Sequence, residues 1–402
     1  MSFWNPLTCI TGCLVVYSVG EFLSKKTKGA VSSLLFACVL FLIGFWSGLL
    51  PKDITTQSGL VAVMANFGTA FMITNIGTLI NLEDLIREWK TVVISLFAIA
   101  AIALICFTVG SLLFGREYAL IAAPPVAGST VAGIIVTSAA EAANRPELAA
   151  FAVLVLSVQK FFGIPISTFC IRKELRIKRG SGFFKSNTVE EKSSLKLPSM
   201  RIFKETPKNL RSNTIYICKV ALVACIADFV GKATLIPGSS PANYILNPNI
   251  AYLLFGLIFA RIGFLEKDIF AKANSSGIIT FGLLLMLPGS LATLSPSGLL
   301  SMIVPVFGIL LICSIGIIVI CGIVGKVLGC SPYTSAAVGV TCMLAYPATQ
   351  IITTEGVDSF EWEGDERQKA MDYILPKMII GGFVTGTIAS VAFASIIGPI
   401  IF

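Results

Sequence analysis

Two apolar stretches of the sequence, residues 118–142 and 332–354, are interrupted by proline, glycine, serine and threonine. Proline breaks a helix, and unwound backbone inside a membrane must be buried or line an aqueous cavity. Helix ends beside such a break can bind ions and charged groups of small molecules. Packing of kinked helices through small residues is the alternative interpretation. The breaks predict a substrate site formed by Pro124, Pro125, Gly128, Ser129, Thr130 and Gly133 with Tyr346, Pro347, Thr349, Gln350 and Thr353.

Two lysines follow the interrupted stretches at matching positions, Lys160 after the first and Lys377 after the second. A charge inside a membrane is costly, so it is a functional candidate by default. Lys160 lies within an apolar span, and we predict that it attracts an anionic substrate or gates the cavity. Lys377 lies near the end of a span, where snorkelling to the membrane surface is an alternative explanation.

Amide and hydroxyl side chains also occur at matching positions of two other apolar spans. Their oxygens suit a small hard cation such as sodium, whereas hydrogen bonds between helices are the alternative role. The candidate ion-binding residues are Asn66, Thr69 and Asn75 in the first span and Asn274, Ser275 and Ser276 in the second. Sodium or a proton is the expected coupling ion, and no further metal or organic cofactor is predicted.

The composition indicates the class of protein that carries these residues. The 402 residues are 55% hydrophobic and only 13% charged, with a mean hydropathy of +0.87. A soluble fold of this length needs far more charge on its surface, so we predict an all-α polytopic membrane protein. The sequence has no histidine, which removes Ser-His-Asp and Cys-His catalysis and disfavours a zinc site. We therefore expect no enzymatic activity.

The positive charge of the chain is concentrated in residues 172–212. This segment holds twelve Lys and Arg against four Glu, which accounts for the net charge of +8. A basic run can bind nucleic acid, but the flanking apolar spans favour a cytoplasmic loop instead. No nucleic-acid partner is expected.

Apolar segments of at least about 17 residues can cross a bilayer. The predicted spans are 6–23, 30–50, 59–80, 91–114, 147–171, 214–236, 249–265, 273–294, 300–328 and 371–400. If the interrupted stretches are re-entrant, each half crosses five times and both termini lie outside. Twenty-one Lys and Arg then lie in inside loops and span ends, against four outside, in agreement with the positive-inside rule. The first span lacks a basic leader and a cleavage site, so it is not predicted to be a signal peptide.

The two halves of the chain repeat one another. The tripeptides Leu-Leu-Phe, Ile-Gly-Phe and Lys-Asp-Ile occur at 34–36, 43–45 and 52–54 and recur in the same order at 253–255, 262–264 and 267–269. An odd number of crossings per half places the second copy upside down, as in many secondary transporters. We predict two inverted repeats of five transmembrane helices, at 1–171 and 213–402, each with one re-entrant segment and joined by the basic linker at 172–212.

With these features in place, the chain resembles the bacterial sodium/glutamate symporter family. The likeness covers the two five-span halves, the long cytoplasmic loop and the re-entrant segments. Residues 345–350, Ala-Tyr-Pro-Ala-Thr-Gln, are similar to the family's second re-entrant motif, and 375–402 are similar to its final span. The family's first motif is of Gly-Gly-His-Gly-Thr type, whereas 124–133 contain no histidine, as in a distant member. The resemblance implies symport of glutamate or another small carboxylate with sodium or protons by alternating access.

Other functional classes stay open from the sequence. A passive channel, or a regulatory exporter without coupled transport, also fits, because paired re-entrant segments can line pores. An intramembrane enzyme would need a metal-ligand cluster or paired intramembrane acids, which the sequence does not offer. The expected partners are a small anionic substrate and the lipid of the bacterial inner (cytoplasmic) membrane, and a homodimer stays open.

Overall fold

The protein is described here by a computed structural model that covers residues 3–27, 33–80, 82–128, 130–185, 201–207, 210–236, 244–292, 294–344 and 348–401. Helices form nearly all of the regular structure in these ranges. Apart from one isolated β-bridge between Leu235 and Tyr244, the described ranges contain no strand. The predicted all-α fold is confirmed.

The helices of the N-terminal half are short and often interrupted. They are α1 (Pro6–Lys26), α2 (Ser33–Trp46), α3 (Ile54–Gln57), α4 (Leu60–Val63), α5 (Thr69–Leu79), α6 (Leu82–Arg87), α7 (Trp89–Ile105), α8 (Ser111–Phe114), α9 (Arg116–Val126), α10 (Thr130–Ala142), α11 (Pro146–Val158) and α12 (Lys160–Gly180). Turns of π-helix join α4 to α5 and α7 to α8. Pro6 and Pro146 begin α1 and α11, since a first-turn residue needs no N–H.

The C-terminal half follows a similar order of helices. They are α13 (Asn213–Ala233), α14 (Pro248–Arg261), α15 (Ile269–Lys272), α16 (Ser276–Leu284), α17 (Pro288–Leu291), α18 (Pro296–Val327), α19 (Pro332–Val340), α20 (Ala348–Asp358), α21 (Glu366–Phe383) and α22 (Ser390–Ile401). A 3₁₀ turn, Thr341–Met343, follows α19, and a π-helical stretch, Val384–Ala389, joins α21 to α22.

Within the described ranges, six helical stretches are long and apolar enough to cross a membrane, and they match six of the ten predicted spans. They are Pro6–Lys26, Trp89–Phe114, Pro146–Gly180, Asn213–Ala233, Pro296–Val327 and Glu366–Ile401.

The spans predicted at 30–50, 59–80, 249–265 and 273–294 are shorter or broken helices instead. Helices α2 and α14 have 14 residues each, a rise of about 21 Å against a hydrocarbon core of about 30 Å. A π-helical turn divides 59–80, and Pro288 begins a new helix within 273–294.

The outer surface carries large apolar side chains that a soluble protein would bury. Leu112 is 86% exposed, Val327 is 81% exposed and Phe229 is 76% exposed. Extensive apolar surface marks contact with a membrane or with another apolar partner. Together with the six long apolar helices, it shows a multi-pass membrane protein.

Several contacts join the N-terminal half to the C-terminal half. The thiols of Cys106 and Cys313 lie 3.7 Å apart where the span containing α7 meets α18. Helix α5 contacts the start of α15 through Asn75, whose Oδ1 accepts from the backbone N–H of Phe270 at 3.2 Å. Reciprocally, a Cβ added to Gly289 of α17 would lie 3.2 Å from the Thr55 hydroxyl of α3. The duplication stays a prediction that a superposition of the halves would test.

The predicted linker at 172–212 is not a loop from its first residue. Helix α12 continues through 172–180, because Ile171, Glu174 and Leu175 keep one face buried and no proline or glycine interrupts it before Gly180. Residues 201–207 are also ordered against the protein. The backbone N–H groups of Ile202 and Phe203 both donate to the carbonyl of Ile262, at 2.8 and 3.0 Å.

A buried ion pair fastens this end of the linker. Lys219 donates to Glu266 Oε1 at 3.0 Å and to the Thr206 hydroxyl at 2.9 Å, and Thr206 also hydrogen-bonds Glu266. Burial acts to raise the pKa of the Glu266 carboxyl, but the hydrogen bonds from Thr206 and Lys219 outweigh it and lower that pKa. The ionised carboxyl therefore stabilises the docked linker.

Replacing Glu266 by glutamine is expected to lower the free energy of unfolding by about 3–5 kcal/mol, because it leaves the Lys219 ammonium buried without its counter-ion. A carboxyl with a lowered pKa contributes stability above its unfolded pKa, and that stability is lost as pH falls through the folded pKa. Thermal unfolding in detergent across acid pH checks both points. Glu205→Gln is the control, since its ion pairs with Arg201 and Arg211 are exposed; equal losses in both variants would contradict the expectation.

Candidate functional site

The first interrupted stretch forms a hairpin of α9 and α10, called the first hairpin below. Pro124 and Pro125 end α9, and Gly128 has a φ of +98°, which glycine reaches without steric cost. Arg145, just after α10, binds Glu117 at the start of α9 through two hydrogen bonds of 3.1 and 2.5 Å. Both ends of the segment therefore lie together, as in a re-entrant segment.

The second interrupted stretch contains α19 and α20 and is called the second hairpin. Its two outer ends also lie close to one another. Ser331, immediately before α19, donates a hydrogen bond to Glu174 of α12. Gly356, near the end of α20, packs against Ile171, one turn earlier on α12. The outer ends of both arms thus lie beside the same region of α12.

The tips of the two hairpins are in direct contact. A Cβ added to Gly128 would lie 1.3 Å from the carbonyl oxygen of Cys342, so only a bare backbone fits between the tips. Gly163 of α12 also packs on the second hairpin, where an added Cβ would lie 2.9 Å from Leu344. The first half of the chain therefore contacts the described residues of the second tip at two points.

A cavity of about 300 Å³ lies beside these tips and is lined by both halves of the chain. Gly128, Thr130, Gln159 and Lys160 line it from the first half, and Leu344 from the second. Pockets for small molecules have volumes of about 300–1,000 Å³, so this cavity suits a compact ligand.

Positive charge dominates the electrostatics of the cavity. Lys160 is the only charged side chain among its described lining residues, and no ion pair within the described part of the chain includes it. Helix α10 begins at Thr130 on the cavity wall, so the positive end of its dipole adds to the ammonium. An unpaired buried charge is costly, and a bound anion would remove that cost.

Gln159 is a lining residue that the sequence analysis missed. It lies at the junction of α11 and α12, is 3% exposed, and its Oε1 has no hydrogen-bond partner among the described residues. A buried polar atom without a partner is rare and needs an explanation, and a ligand in the cavity would provide one. The sequence feature that could have identified Gln159 is an amide side chain next to Lys160 within an apolar span.

The predicted substrate residues separate into four groups, the last of which is Gln350 alone. Those that line the cavity are Gly128, Thr130 and Lys160. Those that are buried elsewhere are Pro124, Pro125, Gly133, Thr349 and Thr353. Those that lie outside the described residues are Ser129, Tyr346 and Pro347.

Gln350 is exposed and does not reach the cavity. Helix α20 buries Thr349, Ile352, Thr353 and Gly356 on one face, which turns Gln350 to the other. Thr349 instead packs against α21, where an added Cβ on Gly382 would lie 2.7 Å from its methyl group. Its hydroxyl is buried and has no hydrogen-bond partner within the part of the chain that the structure describes.

The candidate ion-binding residues have different surroundings in the described structure. Asn75 is buried and already accepts the N–H of Phe270, which is the structural role weighed from the sequence. Asn274 is exposed with a φ of +49°.

The Ser275 hydroxyl is buried and finds no hydrogen-bond partner in the described ranges, whereas Thr69 and Ser276 are half-buried. The side chain of Asn66 lies outside the described part. No cluster of three or more His, Cys, Asp or Glu suited to a metal occurs among the described residues.

Comparison of the chain with protein-family models and with curated proteins finds no match.

Proposed function

We propose that the protein is a secondary active transporter that carries a small organic anion, such as glutamate or another carboxylate, together with sodium or protons. The observation that supports this function is the meeting of two hairpin tips beside a cavity whose one charged lining residue, among those described, is Lys160. Broken helices that meet within the membrane are typical of substrate sites in transporters built from inverted repeats.

The cavity offers three complementary features to a carboxylate. The Lys160 ammonium supplies the counter-charge, the first turn of α10 supplies backbone N–H groups, and Gln159 supplies an amide for a second polar group of the ligand. A single positive charge favours one anionic group over a dianion. The substrate class that fits is a small monocarboxylate or an amino acid with one net negative charge.

Alternating access follows from the way both halves share the cavity wall. Helix α12 carries Lys160 and also packs through Gly163 on the second tip. Movement of the second hairpin relative to α12 would therefore open the cavity and, at the same time, change the contacts between the cavity wall and the ligand. This arrangement supports our proposal that the protein is a distant member of the bacterial sodium/glutamate symporter family. In this proposal the basic linker lies on the cytoplasmic side of the inner membrane.

Uptake into proteoliposomes tests the function. The purified protein is reconstituted and offered labelled glutamate, aspartate, succinate and lactate, with and without inward sodium or proton gradients. We expect saturable accumulation of one of these anions above its outside concentration when a gradient is present. Movement that is independent of either gradient, that does not saturate and that rises linearly with voltage would show a channel and contradict the proposal.

A further inference from the structure

The carboxyl of Glu174 is buried at the base of the second hairpin. Glu174 is 1% exposed, its Oε1 accepts from the Tyr373 hydroxyl at 2.9 Å, and its Oε2 accepts from the Ser331 hydroxyl. In the described ranges no Lys or Arg nitrogen lies within 4.0 Å of it. An acid held by neutral groups alone is rare inside a protein and is therefore a functional candidate.

We propose that Glu174 is the proton-binding site that couples transport to a proton gradient, an inference that rests on the proposed transporter function. A hydroxyl group can either donate or accept a hydrogen bond. Ser331 and Tyr373 can therefore donate to the carboxylate, and one of them can accept from the protonated acid without moving. The same contacts satisfy both protonation states, which is what reversible proton binding requires.

The surroundings fit a proton better than a metal cation. Among the described residues, the side-chain oxygens that hydrogen-bond the Glu174 carboxyl come from Ser331 and Tyr373, whereas hard metal cations take about six oxygen ligands or more. The other titratable groups nearby are arranged around the Tyr373 ring and its helix. They are Lys178 at 5.6 Å and Lys377 at 4.5 Å from the ring centroid, and Cys330.

On α20, the element that packs against the same part of α12, Asp358 is already paired with Arg367 at 2.7 Å. That carboxyl is therefore balanced by its own counter-ion.

The carboxyl lies where a change of charge can move the second hairpin. Ser331 begins the hairpin and Tyr373 belongs to α21, so Glu174 joins both elements to α12. Hydrogen bonds to an ionised group are roughly twice as strong as neutral ones. Protonation therefore loosens this junction, and ionisation tightens it.

Helix α12 connects the junction to the substrate cavity. Lys160 and Glu174 are on the same helix, about 21 Å apart along its axis at 1.5 Å per residue. The tip of the hairpin that Glu174 holds at its base contacts α12 again at Gly163. Protonation at the base and anion binding at the tip thus act on the same pair of elements.

Infrared difference spectroscopy tests proton binding without any substrate. The protein in liposomes is moved from mildly alkaline to mildly acidic buffer, and the carbonyl band of a buried carboxylic acid is followed. We expect the band in the wild type and in Glu363→Gln, which neutralises an exposed carboxyl paired with Lys185, and its loss in Glu174→Gln. An unchanged band in Glu174→Gln overturns the proposal.

Tyr373→Phe provides a second variant in case Glu174→Gln fails to fold. It keeps the carboxyl and removes one hydroxyl, so the band should persist with a shifted pH midpoint. A midpoint identical to that of the wild type would equally overturn the assignment.

Transport assays separate coupling from substrate binding. For whichever of labelled glutamate, aspartate, succinate or lactate the wild type carries, we expect Glu174→Gln to retain exchange of labelled for unlabelled anion. Its accumulation under a proton gradient should fall to the level without a gradient, and Glu363→Gln should behave as the wild type. Full proton-driven accumulation by Glu174→Gln contradicts the inference alone. Absence of exchange in the wild type contradicts the transporter function instead, while the infrared result still decides whether Glu174 binds a proton.

Discussion

Replacing Lys160 by methionine is expected to remove tight binding of the anion and, at the same time, to stabilise the protein. The ammonium lies in the cavity without an ion-pair partner in the described part of the chain. A lysine near the centre of a membrane span costs about 2.5–3.5 kcal/mol, and Lys160 is half-buried, so we expect a gain of about 1–3 kcal/mol in unfolding free energy. Methionine has a similar length and leaves no buried charge.

The loss of binding free energy should exceed this gain in unfolding free energy. Removing one partner of a buried charge pair costs about 2–5 kcal/mol of binding free energy, which is roughly 30-fold to several-thousand-fold in affinity at about 1.4 kcal/mol for each tenfold. We expect this loss in exchange of the labelled anion, together with a raised melting temperature. Lys160→Arg, which keeps the charge, should retain part of the exchange.

Lys326→Met is the matched control for this experiment. Lys326 lies in the last turn of α18, is exposed, and does not line the cavity. Its replacement removes the same charge from a membrane helix and should leave exchange unchanged. Wild-type exchange by Lys160→Met would show that the lysine does not bind the substrate, and a lowered melting temperature would show that it has a structural role.

The two hairpins could be predicted from the sequence because their causes are local. Proline removes a backbone donor wherever it lies in a helix, so Pro124 and Pro125 mark the first break without knowledge of the neighbours. The prediction of a membrane protein also depends on local properties, namely the length and apolar composition of each segment. The prediction was weaker for α2 and α14, because a bilayer-length apolar segment does not show where the helix itself ends.

The residues that face the cavity could not be predicted in the same way. Thr349 and Gln350 are adjacent and equally polar, yet the packing of α20 on α21 buries the first and exposes the second. The rotation of a helix about its axis depends on its partners, which the local sequence does not contain. Gln159 was missed for a related reason. Helix α11 ends at Val158 without a proline or glycine, so the local sequence does not show that α11 and α12 meet there.

The burial of Glu174 could not be predicted from the local sequence either. In the sequence it is one acid within a strongly basic run, and a solvated loop was the natural interpretation of that run. Its burial depends on the continuation of α12 and on Ser331 and Tyr373, which lie more than one hundred and fifty residues away. Contacts over such separations are set by the tertiary fold.

Gly128→Ala is expected to disable transport, because the tips of the hairpins could no longer touch. The added Cβ would lie 1.3 Å from the carbonyl oxygen of Cys342, and that oxygen belongs to backbone that cannot rotate away as a side chain could. One tip must therefore move by an ångström or more. In enzyme sites a displacement of about 1 Å costs on the order of 100-fold in rate, and we expect a loss of similar size in exchange of the labelled anion.

Gly115→Ala distinguishes this clash from backbone strain. Gly115, just before α9, has a φ of +90°, close to the +98° of Gly128, and nothing lies within 4 Å of an added Cβ. Both substitutions therefore place alanine at a positive φ that L residues rarely adopt, at a cost of about 1–3 kcal/mol, but only one brings a new atom against the opposing tip. We expect both variants to lose thermal stability, Gly128→Ala the more of the two, and only Gly128→Ala to lose exchange. Equal loss of exchange in the two would show that strain alone is responsible, and that contact between the tips is not needed for transport.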